Sequence, residues 1–232
     1  MRTSETSAIT LQKVGGVAAL YLAAAYLAAM PIFYFAGDLD EQTPAEKVTM
    51  LATHRWAMQA AYLATYVVFG IVLAVLAVAL HDRLRTAAPV LGRIAAVVGV
   101  LWGTALLASG LIFNAGMGAV VDIYPTDPGR ATSLWQAIEP VTQGLGGADG
   151  ELLGGLWVLL VTIAGLRGVL PRRLGWLGLV VGIAGLISVI PPLQSAVYVF
   201  GLLQLVWFPW LGISLLRTSR QPMPRVVEPI TV

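Results

Sequence analysis

Long apolar runs free of charged residues dominate the chain: Val14 to Gly37, Trp56 to Leu80, Ile94 to Val121, Leu152 to Leu166, and Leu174 to Leu216. A bilayer core of about 30 Å needs about 20 helical residues, so each run reads as a span. The last is split by Pro191 and Pro192, because proline lacks the amide that continues a helix. The pattern therefore predicts an all-α, polytopic transmembrane helical bundle formed by the whole chain as one membrane domain. Its six spans are expected near residues 14–36, 55–80, 92–118, 149–169, 173–191 and 195–216. Two-residue alternation is absent, which argues against a β-barrel. The first run is too long for a typical signal-peptide core, so a retained helix is expected despite the small residues from Ala25 to Ala29.

Composition agrees with the runs. The 232 residues are 58% hydrophobic and 11% charged, against roughly 25% charged in soluble domains. Without cysteine, the chain has no disulfide, thiolate metal site or cysteine nucleophile. Assigning alternate loops to opposite sides puts eleven Lys and Arg with the two termini, against Lys47, Arg55 and Arg130 on the other side. The positive-inside rule then predicts cytoplasmic termini, with nine of the twelve acids outside. The basic rim is a topology and headgroup signal, and no nucleic-acid partner is expected.

The outer segments carry helix signals. Thr43, Pro44 and Glu46 have the spacing of a capping box with proline at the first helical position. Asp127 and Pro128 start a second short helix that Pro140 is expected to end. Over 127–140, Ala131, Leu134, Trp135 and Ile138 form an apolar stripe, which suits an interfacial anchor better than a lid. In the fifth span Gly175, Gly178, Gly182 and Gly185 share a face, and Gly99 and Gly103 pair in the third. Both read as packing seams within the bundle ahead of a homodimer contact, so the chain is expected to be a monomer or a homodimer.

The candidate chemistry starts at GGADGELLGGLWVLL, Gly146 to Leu160, where Asp149 and Glu151 precede a short apolar run. Asp149 as N-cap with Glu151 in the first turn would satisfy free amides and the helix dipole. A compatible second role is ligand contact. In the second span Arg55, Gln59, Tyr62 and Tyr66 form a polar and aromatic stripe, so Arg55 is expected to meet Glu151 at the mouth of an outward-opening cavity. An interfacial belt is the equal alternative for that stripe. In the sixth span Gln194, Tyr198 and Gly201 share a face, with Gln204 less well aligned, and all are expected to look inward.

Other chemistry is sparse. Only His54 and His81 exist, and no spacing identifies a metal site or any cofactor. No catalytic residue is assigned. An outer-leaflet enzyme pairing His54 with Asp149 or Glu151 is an alternative, as is small-solute transport. No lysine lies inside a span, which excludes a retinal Schiff base.

Three patches resemble a known family: KVGGVAALYL in the first span, ELLGGLWVLLVTIAGLR in the fourth, and LPRRLGWLGLVVGIAGL entering the fifth. They are similar to small bacterial six-helix membrane proteins classed as a domain of unknown function. The resemblance implies a tight cytoplasmic turn at Leu170 to Gly175 and supplies no activity or catalytic residue. The leading expectation is a noncatalytic binding or sensing protein for a lipophilic or amphipathic small molecule, partnered by the lipid bilayer. Arg55, Gln59, Tyr62, Tyr66, Glu151, Asp149 and His54 are its candidate contacts.

Overall fold

The computed structural model describes residues 2–35, 42–146 and 150–218, and among these it is helical throughout, with no strand. The elements in order are α1 (Arg2–Phe35), α2 (Pro44–Thr53), α3 (Arg55–Tyr62), a π-helical turn (Leu63–Val68), α4 (Phe69–Leu84) and α5 (Pro89–Ile123). Then come α6 (Pro128–Gly146), α7 (Leu152–Gly165), α8 (Arg172–Ile187), a 3₁₀ turn (Pro191–Leu193) and α9 (Ala196–Thr218). Helices α1, α4, α5, α7, α8 and α9 close a ring in which each packs on the next and α9 returns to α1.

Four stretches among the described residues are long and apolar enough to cross a bilayer: Thr10–Ala28, Arg55–Leu84, Pro89–Ile123 and Ala196–Arg217. The expectation of six such spans is not met by length. Helix α7 has 14 residues and α8 has 16, about 21 and 24 Å at 1.5 Å per residue. The turn between them tightens at Gly168, whose φ of 101° lies in the left-handed region. These are nonetheless among the best-enclosed helices. In α7, Trp157, Val158, Val161 and Ala164 have no exposed surface.

Close approach explains that enclosure. A side chain on Gly185 would lie 2.7 Å from the Gly155 Cα, and one on Gly155 would lie 2.8 Å from the Gly182 carbonyl oxygen. In lipid, apolar burial gives helices no net drive to associate, so van der Waals contact between near-bare backbones takes its place. The glycine face of α8 is thus used inside the bundle. Gly16 on α1 and Gly212 on α9 make a similar crossing, where a Cβ on Gly212 would sit 2.8 Å from the Gly16 oxygen.

The other end of the molecule is a cap. Helix α5, with 35 residues, is about 52 Å long and overshoots a core of about 30 Å. Along the overshoot α6 runs back antiparallel: Phe113 meets Trp135 at 5.3 Å between ring centroids, Gly116 faces Ile138, and the Ser109 hydroxyl donates to the Thr142 carbonyl at 2.7 Å. Val48 and Leu51 of α2 complete this second core with Met117, Val120 and Ala131. A 2.7 Å pair between Lys47 and Glu139 ties α2 to α6. The expected capping box forms: the Thr43 amide donates to Glu46 Oε2 at 2.7 Å, and the Glu46 amide donates back to Thr43 Oγ1 at 3.4 Å. The Thr43 hydroxyl, donating to Glu46 Oε2 at 2.7 Å, and then the Thr43 amide hold the Glu46 carboxyl below its usual range.

Two expectations for residues 127–140 are corrected. The helix continues through Pro140 to Gly146. Its buried face of Ala131, Trp135, Thr142 and Gly146 stays on α5, and Pro140 points outward, so tertiary packing offsets the lost amide. Nor does α6 lie flat as an anchor; it stands against α5.

If the α7–α8 seam holds the bundle, Gly185→Leu should overpack it and cost about 1–3 kcal/mol or more. Gly118→Leu, where a side chain meets nothing within 4 Å, should change little. Unfolding in detergent followed by tryptophan fluorescence checks the contrast, and equal effects would refute it.

Candidate functional site

The α6–α7 connection turns at Gly150, where φ is 135° and a Cβ would strike the Val189 Cα at 2.8 Å. This turn delivers Glu151 to the N-cap position of α7. Its amide donates to Ser188 Oγ at 2.9 Å, and the Ser188 hydroxyl donates on to the Gly185 carbonyl at 2.6 Å. So Glu151 is locked at the backbone, and its side chain is not used to cap α7.

Its carboxylate goes inward instead. Glu151 is 8% exposed, and Gly154 one turn on leaves room for it. A Cβ at Gly154 would lie 2.6 Å from Glu151 Oε2, 2.7 Å from Trp102 Cζ2 and 2.8 Å from Phe200 Cζ. The Tyr66 ring packs against Gly146 at the end of α6. Among the described residues no Lys or Arg pairs with the Glu151 carboxylate. The Trp102 indole and the Gly154 amide face it, and a buried carboxylate with no opposite charge beside it is costly to keep ionised.

Aromatic rings and unpartnered polar atoms continue the site into the bundle. Trp102 meets Phe200 edge-on at 6.1 Å and lies tilted to Trp157 at 5.7 Å, and Trp157 meets Trp207 edge-on at 5.8 Å. The indole nitrogens of Trp157 and Trp207, the Thr162 hydroxyl and both amide atoms of Gln204 are buried without a hydrogen-bond partner. Buried polar groups are usually satisfied, so this row stands apart from the rest of the bundle. From Glu151 to Thr162 the row reaches about 16 Å along α7.

The π-helical turn sets Tyr66. Such a turn inserts a residue into an α-helix and is frequent at functional sites. The Tyr21 hydroxyl donates to the Ala64 carbonyl within it at 3.0 Å. Tyr66 stacks on Tyr62 at 4.9 Å, Tyr62 on Phe113 at 3.3 Å, and Phe113 reaches Trp135, so one aromatic column joins the cap to the Glu151 level.

The expected residues separate along this column. Tyr66 stands with Glu151, and Tyr62 lies between site and cap. Arg55 does not meet Glu151; its partner is Asp122, at 3.0 Å, with the acid mostly exposed. The reason is length: eleven residues separate Arg55 from Tyr66, about 16 Å of helix. Arg55 also lies 5.7 Å from the ring centre of Trp56, itself 77% exposed. Gln59 is half-buried in α3. His54 is exposed at the break between α2 and α3, and Asp149 lies outside the described residues. Gln194 and Tyr198, expected to look inward, are exposed, while Gln204 is fully buried. The inner face of α9 is set by Phe200, Gln204, Trp207, Phe208 and Leu211.

Sequence reasoning missed Tyr26, Trp102, Ser188, Phe200 and the central place of Gln204. A glutamine at mid-span was the available signal, since amides in lipid need partners. No group of three His, Asp or Glu able to hold a metal occurs among the described residues. No known family, curated protein or solved structure matches the chain.

Ser188→Ala should cost about 1–3 kcal/mol, because it orphans the buried Glu151 amide. Thr104→Ala, which removes an exposed hydroxyl bonded only to its own helix at Val100, should stay within about 0.5 kcal/mol. Denaturant unfolding in detergent checks both; a Ser188→Ala protein as stable as the parent would refute the lock.

Proposed function

We propose that this membrane protein binds an amphipathic small molecule at the Glu151 site without transforming it. The observation that carries this reading is the burial of the Glu151 carboxylate, without a cationic partner among the described residues, beside Trp102 and Phe200. Intramembrane ionisable groups are rare and functional by default.

In this reading all six ring helices cross a bacterial cytoplasmic membrane, the short α7 and α8 being carried by their neighbours. Arg83, Arg85, Arg93, Arg167, Arg172, Arg173 and Arg217 gather at the uncapped end. The positive-inside rule makes that end cytoplasmic, with both termini, and the cap external. The likeness of the fourth- and fifth-span patches to small six-helix bacterial membrane proteins belongs to the same proposal.

An enzyme pairing His54 with Glu151 finds no support, because His54 is exposed at the break between α2 and α3 while Glu151 is buried at the start of α7. Transport of the same molecule is a second reading, favoured by the unpartnered row from Trp157 to Thr162 and Trp207.

Native mass spectrometry of the protein released gently from its membrane tests the proposal. A bound small molecule should accompany the 24.5 kDa chain, fall sharply in Glu151→Gln and persist in Arg55→Ala. Retention of the molecule in Glu151→Gln would sink the site assignment. Flux into proteoliposomes would separate transport from binding alone.

A further inference from the structure

Resting on that reading, we infer that the ligand is a lipophilic organic cation, an alkylated ammonium carried on an apolar body. Three observations converge on that class. The first is charge: the only ionised group the site can present is the Glu151 carboxylate, 8% exposed, whose paired cation is absent from the described residues. An anionic ligand would meet a like charge in a medium that screens little.

The second is the surround. Trp102 from α5 and Phe200 from α9 close with the Glu151 carboxylate over Gly154, so two aromatic rings from different helices stand at one carboxylate. Aromatic faces attract alkylated ammonium groups, whose weak hydration makes entry into such a box cheap. A hard metal cation needs six or more oxygen ligands and finds here one carboxylate among rings.

The third is polarity beyond the charge. Gln204 is fully buried with both amide atoms unpartnered, and the Trp157 indole N–H is likewise buried without a partner. These groups lie on the bundle side of Glu151. They offer hydrogen bonds to a polar atom on the ligand's body, while Trp157 and Phe208 supply apolar contact.

Three probes of one shape and different charge test the class: benzyltrimethylammonium, its neutral isostere neopentylbenzene, and phenylmethanesulfonate. Each is titrated against the full chain in phosphatidylcholine nanodiscs, read by tryptophan fluorescence, with Glu151→Gln and Trp102→Phe beside the parent. Matching thermal transitions confirm that the variants are folded. The ammonium should bind saturably, weaken about tenfold or more in Glu151→Gln, and weaken less in Trp102→Phe. The neutral and anionic probes should bind far more weakly and ignore Glu151→Gln. Ammonium binding unchanged by Glu151→Gln overturns the inference. Glu151-dependent binding of the neutral or anionic probe overturns the cation class while leaving the binding site standing. Binding of none of the three, together with no co-purified molecule, overturns both.

Discussion

The close approach of α7 to α8 is the contact on which the rest of this molecule depends. Gly155, Gly182 and Gly185 bring two backbones to a distance that any side chain would prevent. In a lipid environment that contact substitutes for the hydrophobic drive available in water. It also fixes chemistry. Gly185 presents its carbonyl to Ser188, Ser188 takes the Glu151 amide, and the carboxylate is thereby committed to the interior. Packing and site are built from the same residues.

Around that contact the bundle spends polar groups where lipid makes them expensive. The Tyr21 hydroxyl meets the π-helical turn, the Ser109 hydroxyl meets α6, and the Asn114 amide folds back onto Gly110. These are ordinary repairs of backbone polarity. The indoles of Trp157 and Trp207 and the amide of Gln204 receive no such repair. The contrast within one molecule matters more than any single orphaned atom.

The cap carries a different logic. Its apolar residues, Val48, Phe113, Met117 and Trp135, form a core of their own joined by the Lys47–Glu139 pair. Because α5 carries this core beyond the ring, Arg55 sits far from Glu151 and spends its charge on the exposed Asp122. Such a pair adds about 0–1 kcal/mol. The aromatic column from Trp135 through Phe113 and Tyr62 to Tyr66 links cap and site, so a change in α6 has a packed route to the carboxylate.

Much of this was legible in the chain. Apolar runs mark the helices, Thr43 with Glu46 caps α2, the prolines at 191 and 192 divide the last run, and the glycine face of α8 is a seam, because each follows from local chemistry or helical period. Glu151 was visible as a carboxylate at the edge of lipid. Its partners were not. Periodicity tells which residues share a face of one helix, but not at what height two helices meet. The overshoot of α5, set by its packing with α6, moved Arg55 out of reach, and the burial of α9 around Gln204 turned Gln194 and Tyr198 outward. What the sequence determined by itself was the helical membrane class and the presence of a carboxylate beside an apolar span. Tertiary structure alone decided that this carboxylate faces aromatic rings rather than arginine, because relative depth is a property of packed helices and not of any one of them.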